Sequence, residues 1–322
     1  MHSGQEGFRS GFVSLIGRPN SGKSTLLNAL IGSKVAIVSD KPQTTRTSIQ
    51  GVLTLEKAQI VFLDTPGIHE STTLLNKRMM EAVRSALAGR DLLLYLADST
   101  APFVDQDRKA LNVLDHVRAP ALLVLTKIDR LEDKRLLLPL IEHYKSAREF
   151  ADYVPISAIT GEGLDLLRRA IVDRLPQGPP FFPPDHLTDQ PERFLAAELI
   201  REKILRQTRQ EVPHSIAVLI DHWEETPRLT RISAAIYVER PGQKAIVIGA
   251  KAATLKKVGT LARQEMESLF CRKIFLELTV KVRPDWRENP EFLKATDWRS
   301  LIGVDVHSSA GAELDRAPEN DE

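Results

Sequence analysis

The first part of the chain alternates apolar runs with amphipathic stretches. Apolar runs of strand length occupy residues 12–16, 58–63, 92–97, 121–125 and 153–156. Such runs are typical of strands that are buried on both faces of a parallel sheet. The stretches between them, including residues 23–31 and 76–88, carry apolar residues at helical spacing. The alternation predicts right-handed βαβ units in a doubly wound α/β domain, which we place at residues 1–178.

Two segments interrupt this pattern. Residues 35–51 are polar, contain Pro42 and predict a mobile loop. Residues 176–184 have the sequence PQGPPFFPP, which is too rich in proline for the interior of a helix or a sheet. We therefore place a semi-rigid linker at residues 179–190.

The pattern changes beyond the linker. Residues 191–210 predict a charged amphipathic helix, and residues 214–223 and 229–240 alternate as half-buried strands do. Residues 243–248 and 252–270 predict a short helix and a long helix on either side of a turn. Residues 274–282 again alternate strictly, which is a strong strand signal. The order αββααβ predicts a compact α+β domain at residues 191–290, followed by a C-terminal extension at residues 291–322.

Composition agrees with a soluble protein of two domains. The chain has 322 residues, of which 42% are apolar and 27% are charged. It contains no apolar run of about 18 residues, and its N-terminus lacks the layout of a signal peptide. The single cysteine, Cys271, cannot form an internal disulfide, so we expect a cytoplasmic protein.

The net charge of +1 conceals a gradient along the chain. Residues 191–290 carry 18 Lys and Arg against 13 Asp and Glu, whereas residues 291–322 carry 3 against 8. The basic block is the candidate surface for a polyanion. The end of the chain is predicted to be a solvated acidic tail, and residues 292–306 are a candidate for a short packed element.

A phosphate-binding motif follows the first apolar run. Residues 17–24, GRPNSGKS, fit the pattern G-x-x-x-x-G-K-[ST]. Gly17 and Gly22 permit a backbone whose N–H groups face phosphate oxygens. Lys23 is expected to reach the β- and γ-phosphates, and Ser24 to offer a hydroxyl to Mg²⁺. The predicted nucleotide-binding residues here are Gly17, Arg18, Pro19, Asn20, Ser21, Gly22, Lys23, Ser24 and Thr25.

A second motif, DTPG, ends the next buried run. Its carboxylate, Asp64, is expected to hold the metal as a hard oxygen ligand. Gly67 allows its own N–H to approach the γ-phosphate. The predicted nucleotide contacts of this segment are Asp64, Thr65, Pro66, Gly67 and Ile68.

Two later motifs identify the base as guanine. The carboxylate of Asp129, in the sequence TKID, accepts hydrogen bonds from N1–H and N2–H₂ of guanine, and adenine offers no such pair of donors. The usual first residue is Asn, so Thr126 predicts weaker anchoring of the loop without loss of selectivity. A backbone N–H at residues 157 and 158 is expected to bind guanine O6. The predicted base contacts are Thr126, Lys127, Asp129, Ser157 and Ala158.

The loop KPQTTR at residues 41–46 lies where a GTPase places its first switch. We select Thr45 as the threonine that binds Mg²⁺, with Thr44 as the alternative. Many GTPases also carry a water-orienting glutamine directly after the DTPG glycine, where this chain has Ile68. We therefore expect that intrinsic GTP hydrolysis is slow or that another group assists it. His69 is either a base or, as we favour, a solvated histidine.

With these residues in place, the chain resembles the Era family of bacterial GTPases, in which a Ras-like domain precedes a type II KH domain. The resembling segments of the first half are GRPNSGKSTLLNALIG, KPQTTR, DTPGIH, TKID and PISA. Those of the second half are PERFLAAELIREKIL, VIGAKAATLKKVG and KVRPDWREN. Together they span residues 11–288, and the second set is not shared by other P-loop GTPases.

The resemblance implies a function in ribosome assembly. It implies binding and hydrolysis of GTP with Mg²⁺, binding to the 3′ end of 16S rRNA, and a role in maturation of the 30S subunit. It also implies weak peripheral association with the cytoplasmic face of the membrane. We expect the protein to be a monomer and to have no DNA partner. Related GTPases with an apolar residue at the position of Ile68 often use K⁺, bound by an asparagine at the position of Asn20. The predicted metal ligands are Ser24, Thr45 and Asp64, and the predicted catalytic residues are Asn20, Lys23, Thr45, Asp64 and Gly67.

The predicted RNA-binding loop departs from the KH pattern. The usual G-x-x-G sequence is here Gly249-Ala250-Lys251-Ala252, and the last Cβ is expected to reduce or shift contact with the RNA backbone. Lysines cluster around this loop, where single-stranded RNA is the expected ligand. The predicted RNA-binding residues are Lys244, Gly249, Ala250, Lys251, Ala252, Lys256 and Lys257.

Two rival hypotheses remain at this stage. The first is a P-loop ATPase or small-molecule kinase, against which Asp129 and the threonines of residues 41–46 argue. The second is a membrane-surface GTPase without a role on rRNA, whose basic domain binds anionic lipid. Comparing the affinities for ATP and GTP tests the first rival against the Era-like GTPase hypothesis. Comparing the affinities for single-stranded RNA and anionic vesicles tests the second.

Overall fold

The structure, a computed structural model, describes residues 7–301 except residues 42, 69–72, 116, 209–211, 213 and 214. Its first half is built on a six-stranded sheet with the strand order β2-β3-β1-β4-β5-β6. All neighbouring strands are parallel except β2, which is antiparallel to β3. The strands are β1 Arg9–Gly17, β2 Ile49–Thr54, β3 Ala58–Asp64, β4 Leu92–Asp98, β5 Ala121–Thr126 and β6 Asp152–Pro155.

Helices cover both faces of this sheet, as the sequence predicts. They are α1 Lys23–Ile31, α2 Leu74–Leu87, α3 Asp105–Asn112, α4 Leu137–Ala147 and α5 Leu164–Val172. Leucines of α1 and α5 pack on one face of the sheet. Apolar residues of α2, α3 and α4 pack on the other face. The doubly wound α/β fold is therefore confirmed.

The edge strand β2 corrects the sequence analysis, which assigned residues 49–51 to a loop. These residues begin β2, because pairing with β3 and packing against α1 outweigh a weak local pattern. Gly51 is needed there: a Cβ would lie 2.2 Å from Cδ1 of Ile31 in α1. In the rest of the predicted loop, residues 35–48, the described residues are in neither helix nor strand, but Val35, Ala36 and Ile37 are buried.

The second half contains a three-stranded sheet with the order β7-β8-β9. Strand β8 is antiparallel to β7 and parallel to β9, so the two intervening helices form a crossover. The helices pack on one face of the sheet around a common apolar core. The elements are α6 Glu192–Gln207, β7 Ala217–Glu225, β8 Thr230–Val238, α7 Pro241–Ile248, α8 Ala253–Phe270 and β9 Ile274–Val282.

The order αββααβ is as predicted from the sequence. Helix α6 ends at Gln207, earlier than predicted, because Thr208 is already extended; residues 209 and 210 lie outside the described residues. Strand β7 begins at Ala217 and not at residue 214, since residues 215 and 216 are not in a strand and residue 214 is not described.

The proline-rich segment runs along the edge of the first sheet. The side chain of Gln59 in β3 accepts the N–H groups of Phe181 and Phe182 at 2.7 and 2.9 Å. The carbonyl oxygen of Leu187 accepts the N–H of Val52 in β2 at 2.9 Å. The segment therefore occupies hydrogen-bonding groups at the sheet edge in addition to joining the two halves.

The C-terminal residues pack between the two halves. Helix α9 Pro290–Ala295 begins two residues before the predicted packed element of residues 292–306, and α10 Trp298–Leu301 falls within it. Residues 302–306 lie outside the described part of the chain. Trp286 and Phe292 are buried against Met79 of α2 and Ala217 of β7. The indole N–H of Trp286 donates to the carbonyl oxygen of Ser215 at 3.0 Å. This cluster is one apolar part of the contact between the halves; Phe194 of α6 and Trp298 pack on the core of the first half.

Replacing Phe292 with Ala is expected to destabilise the protein by about 3–5 kcal/mol, because a buried aromatic ring is lost and a cavity remains. The ring contacts Tyr237 and Trp286 at centroid distances of 4.9 and 5.5 Å. Chemical denaturation of the full chain measures the change. Phe275→Ala removes a ring that is 52% exposed and is expected to cost about 1 kcal/mol or less. Equal effects of the two substitutions would contradict the proposed packing role of Phe292.

Candidate nucleotide-binding site

The glycine-rich loop forms the turn between β1 and α1. Gly17 and Gly22 have φ angles of 152° and 93°, which favour glycine. A Cβ on Gly17 would also lie 2.5 Å from the carbonyl oxygen of Leu96. Helix α1 begins at Lys23 without a side-chain cap, so its first backbone N–H groups can face an anion.

Lys23 is held inside this loop. Its ammonium group donates to the carbonyl oxygens of Gly17 and Arg18 at 3.1 and 2.8 Å, and the residue is buried. Burial lowers the pKa of Lys23 to about 8, and the neighbouring Asp64 opposes this shift. Lys23 is therefore mostly protonated at pH 7 and presents a desolvated positive charge where the sequence predicts phosphate.

Three oxygen-bearing side chains converge beside Lys23. The hydroxyl of Ser24 donates to Oδ2 of Asp64 at 2.5 Å, and the hydroxyl of Thr45 lies 2.9 Å from that of Ser24 and 3.5 Å from Asp64 Oδ2. The alternative candidate, Thr44, instead donates its hydroxyl to the carbonyl oxygen of Lys41 at 2.6 Å. The structure thus brings Thr45, and not Thr44, to the side chains of Ser24 and Asp64.

Asp64 is fully buried, and its Oδ1 has no hydrogen-bond partner among the described residues. Burial raises the pKa of Asp64 to about 6, against the opposing effects of Lys23 and of hydrogen bonds from Ser24, Thr45 and Thr65. A buried carboxylate oxygen without a partner is costly unless a cation or a donor meets it. The all-oxygen donor set of Ser24, Thr45 and Asp64 suits a hard divalent cation such as Mg²⁺.

The turn after β3 packs closely on the glycine-rich loop. A Cβ on Gly67 would lie 2.7 Å from the backbone N and Cα of Pro19. The hydroxyl of Thr65 donates to the carbonyl oxygen of Leu15 at 2.8 Å. The N–H of Ile68 donates to the carbonyl oxygen of Gly17 at 3.2 Å. The side chain of Ile68 packs on the apolar core, and it has no group that can orient water. His69 lies outside the described residues.

Two predicted loop residues have side-chain partners outside the loop. Arg18 donates to Asp107 at 2.8 Å and to Gln106 at 2.9 Å, so its side chain is directed to α3. Asn20 has a φ angle of 63° and donates its amide N–H₂ to the carbonyl oxygen of Asp40 at 2.8 Å. The backbone N–H of Arg18 and the side-chain oxygen of Asn20 are therefore the groups of these two residues left to face a ligand.

Thr126 anchors the base-reading segment to the glycine-rich loop. Its buried hydroxyl lies 2.8 Å from the carbonyl oxygen of Ser21 and 3.1 Å from that of Ala97. A hydroxyl has one proton, so it donates to one of these oxygens at a time, whereas an asparagine amide has two donors. The weaker anchoring of the loop by Thr126 stays a prediction, which rests on this difference in donors.

Lys127 and Asp129 lie at the surface directly after β5. Lys127 has a φ angle of 62°, and its ammonium group lies 2.5 Å from Oδ2 of Asp98. Asp129 is exposed, and none of the described residues forms a hydrogen bond or ion pair with its carboxylate. Its two oxygens therefore remain available to the donor pair of a guanine base.

The loop after β6 completes the base-reading region. The N–H of Ser157 donates to the carbonyl oxygen of Glu162 at 2.9 Å, so it is not available to a ligand. Among the described residues, the N–H of Ala158 has no such partner, and it is the donor of this pair that can meet guanine O6. The N–H of Ile128 donates to the carbonyl oxygen of Ile156 at 3.3 Å, which holds the two base-reading segments together.

Sequence reasoning missed two residues that support the site. Asn28 in α1 accepts the N–H groups of Val35 and Ala36 at 3.0 Å each, and so fixes the start of the loop that carries Thr45. Asp98 at the end of β4 pairs with Lys127. Nothing in the local pattern marks either residue, because both act across the fold on elements distant in sequence.

The predicted RNA-binding loop forms the exposed turn between α7 and α8. Gly249 has a φ angle of 71°, and a Cβ there would lie 2.3 Å from the hydroxyl of Thr254. Lys251 and Ala252 have φ angles of 48° and 60°, so an alanine occupies a left-handed conformation that favours glycine. Lys251, Lys256 and Lys257 are exposed, and Lys244 is half-buried.

Comparison with known proteins gives matches over both halves. The sequence model of a family described as 50S ribosome-binding GTPase matches residues 12–127, and that of the KH domain matches residues 211–287. GTPase Era of Geobacter metallireducens is 52% identical over 289 residues, which cover 89% of this chain and 97% of that protein. GTPase Era of Rippkaea orientalis is 47% identical over 286 residues, which cover 88% of this chain and 90% of that protein.

Solved structures match the whole two-domain arrangement. A variant of Aquifex aeolicus Era bound to GDP·AlF₄⁻ has a TM-score of 0.87 and 41% identity, and the match covers 90% of this chain and 99% of that one. Era in complex with MgGDPNP and nucleotides 1506–1542 of 16S ribosomal RNA has a TM-score of 0.88 and 41% identity, with the same coverage.

Replacing Asp129 with Asn is expected to change the preferred base of the bound nucleotide from guanine to xanthine. The amide presents N–H₂ where the carboxylate accepted, and xanthine has a carbonyl oxygen where guanine has its amine. Competition between GTP and xanthosine triphosphate measures the change, with Asp133→Asn, a surface carboxylate of the following turn, as control. An unchanged nucleotide preference would contradict the role assigned to Asp129.

Proposed function

The chain belongs to the Era family of GTPases, and from this premise we propose that it binds the 3′ region of 16S rRNA through its KH domain during biogenesis of the 30S subunit. The chain is a GTPase with a KH domain. The observation that carries the proposal is the match over 90% of the chain to an Era structure holding MgGDPNP and 16S rRNA nucleotides. The combination of a nucleotide site with a basic KH loop in one chain gives it further support.

We assign nucleotide binding to the groups described above. The N–H groups at the start of α1 and the ammonium of Lys23 bind the phosphates of GTP or GDP. The carboxylate of Asp129 and the N–H of Ala158 bind the guanine base. We assign Gly67, which packs closely on Pro19 of the glycine-rich loop, to the γ-phosphate side of the site.

The proposed Mg²⁺ ligands are Ser24, Thr45 and Asp64, directly or through water. When bound, Mg²⁺ neutralises charge on the phosphate oxygens during hydrolysis. The unpartnered Oδ1 of Asp64 and the converging hydroxyls support this assignment. Since the pKa of Asp64 is raised to about 6, the carboxylate is mostly ionised at pH 7 and can act as a ligand.

We propose that the KH loop holds single-stranded RNA. The exposed side chains of Lys251, Lys256 and Lys257 surround a turn whose residues, 249–252, are exposed or half-buried. Phosphates of RNA bind such a loop through lysine charges and backbone N–H groups. The left-handed Ala252 keeps the loop conformation without the usual glycine, at an expected cost of about 1 kcal/mol in backbone strain.

The two rival hypotheses, an ATPase or kinase and a membrane-surface GTPase, have different outcomes. The ATPase or small-molecule kinase hypothesis is wrong, because the chain belongs to a GTPase family. No helix among the described residues is long and apolar enough to cross a membrane. We propose a monomer that acts in the cytoplasm and associates with the membrane at most peripherally. Tight binding to anionic vesicles, without binding to RNA, would favour the membrane-surface alternative.

Potassium is expected to accelerate GTP hydrolysis relative to sodium at equal ionic strength. Ile68 cannot orient water, and a monovalent cation at the side-chain oxygen of Asn20 can offset charge that develops between the β- and γ-phosphates. Steady-state rates in KCl and NaCl measure the difference, and Asn20→Ala is expected to abolish it. Equal rates in the two salts, or a difference that survives in Asn20→Ala, would count against a K⁺ site.

Replacing Lys251 and Lys256 with Glu is expected to weaken binding to RNA of the 16S 3′-end sequence without changing GTP affinity. The salt dependence of binding should flatten by about 0.7 log units for each phosphate contact that is lost. Equilibrium binding at several salt concentrations measures both quantities. The control exchanges Lys57 and Lys145, which are exposed lysines of the first half, for Glu. If only the control weakens binding, or neither does, the KH loop is not the RNA site.

A further inference from the structure

The loop that carries Thr45 is held by helix α6 of the second half. We call residues 33–48 the switch loop; residue 42 is not described. Near its start, the carboxylate of Glu202 accepts the N–H of Val38 at 2.9 Å and the ammonium of Lys34 at 2.8 Å. Glu202 is fully buried. Burial alone would raise its pKa, but Lys203, Lys34 and the Val38 N–H hold the pKa of this carboxyl below its usual value.

The adjacent residue of α6 holds the other end of the switch loop. Arg201 is 2% exposed, and its guanidinium donates to the carbonyl oxygen of Thr44. Glu198, one turn earlier on α6, fixes this guanidinium through two hydrogen bonds of 2.7 and 2.6 Å. A planar guanidinium paired with a carboxylate in this way has little freedom to move.

Arg46 makes a second contact from the same end of the loop. Its guanidinium donates to the carbonyl oxygen of Ile216 at 2.6 Å and lies 5.4 Å from the ring centroid of Trp286. The second half therefore contacts the residue before Thr45 and the residue after it. Thr45 itself turns its hydroxyl toward Ser24 and Asp64.

We propose that Arg201 is a positioning residue for GTP hydrolysis: by fixing the backbone of Thr44, it holds the hydroxyl of Thr45 at Ser24 and Asp64. This rests on the proposed role of Thr45 in the Mg²⁺ site. Catalysis is sensitive to displacements of about 1 Å in such groups. The phosphate-binding loop and the base-reading residues have no contact with Arg201 among the described residues, so affinity for GDP is expected to be independent of it.

The test compares Arg201→Met with Arg201→Lys and Arg193→Met in the full chain with Mg²⁺. Arg201→Met is expected to lower kcat about tenfold, because Glu202 and Arg46 still hold the loop, and to leave the Kd for GDP unchanged. Arg201→Lys retains a donor for the Thr44 carbonyl and should recover part of kcat. Arg193 lies on the same helix, is exposed and forms no hydrogen bond or ion pair with the described residues of the switch loop, so Arg193→Met should leave kcat unchanged.

A second readout follows the loop itself. Hydrogen exchange at residues 43–48, with a GTP analogue bound, is expected to be faster in Arg201→Met than in the unmodified protein and unchanged in Arg193→Met. If Arg201→Met does not fold, Glu198→Gln replaces it. That substitution loosens the orientation of Arg201 at a site that is already partly exposed, and a smaller fall in kcat with unchanged GDP affinity is expected.

Thr45→Ala separates failure of this proposal from failure of the proposed function. If Thr45→Ala lowers kcat and Arg201→Met does not, Arg201 has no positioning role and the nucleotide site stands as proposed. If Thr45→Ala leaves kcat unchanged, Thr45 is not in the Mg²⁺ site and the positioning role falls with it. Equal losses of kcat, GDP affinity and thermal stability in Arg201→Met, without recovery in Arg201→Lys, would assign Arg201 a purely structural role.

Discussion

The arrangement of this protein depends on one buried carboxylate. Asp64 ends a central strand with no exposure to solvent, and burial raises its pKa to about 6. Its hydrogen bonds draw together the first turn of α1, through Ser24, and the switch loop, through Thr45. Lys23 supplies the compensating charge, at the cost of its own desolvation. A charged centre of this kind is stable only when elements distant in sequence surround it. The site therefore depends on the assembled sheet, at the carboxyl end of the strand that carries Asp64.

Among the contacts between the two halves are two chemically different surfaces. One is polar: Arg201 and Glu202 of α6 bind the backbone at both ends of the switch loop. The other is apolar: Trp286 and Phe292 pack on Met79 of α2, which follows the DTPG turn. The second half therefore contacts the segment after the glycine-rich loop and the segment after Asp64. The switch loop carries Thr45 of the nucleotide site, which gives the KH half a physical connection to that site.

The KH loop shows how one departure from a motif is accommodated. Ala252 adopts the left-handed conformation that a glycine would adopt more easily, and Lys251 before it does the same. The turn is fixed at its start by Gly249, which lies too close to Thr254 to carry a side chain. The fold therefore keeps the loop geometry and its lysine charges despite the substitution. The methyl group of Ala252 is added to the surface of this loop.

The sequence by itself determined the fold class, the order of nearly all elements and the chemistry of the nucleotide site, because buried strands, amphipathic helices and the GRPNSGKS and TKID motifs are local patterns. Tertiary structure decided the rest. Residues 49–51 form a strand because β3 and α1 accept them there. Thr45 was selected over Thr44 because the hydroxyl of Thr44 already donates a hydrogen bond within its loop. Ala158 was selected over Ser157 because the N–H of Ser157 already has a partner. Asn28, Asp98 and Arg201 act on residues far along the chain, and no local pattern records a contact that exists only once the chain has folded.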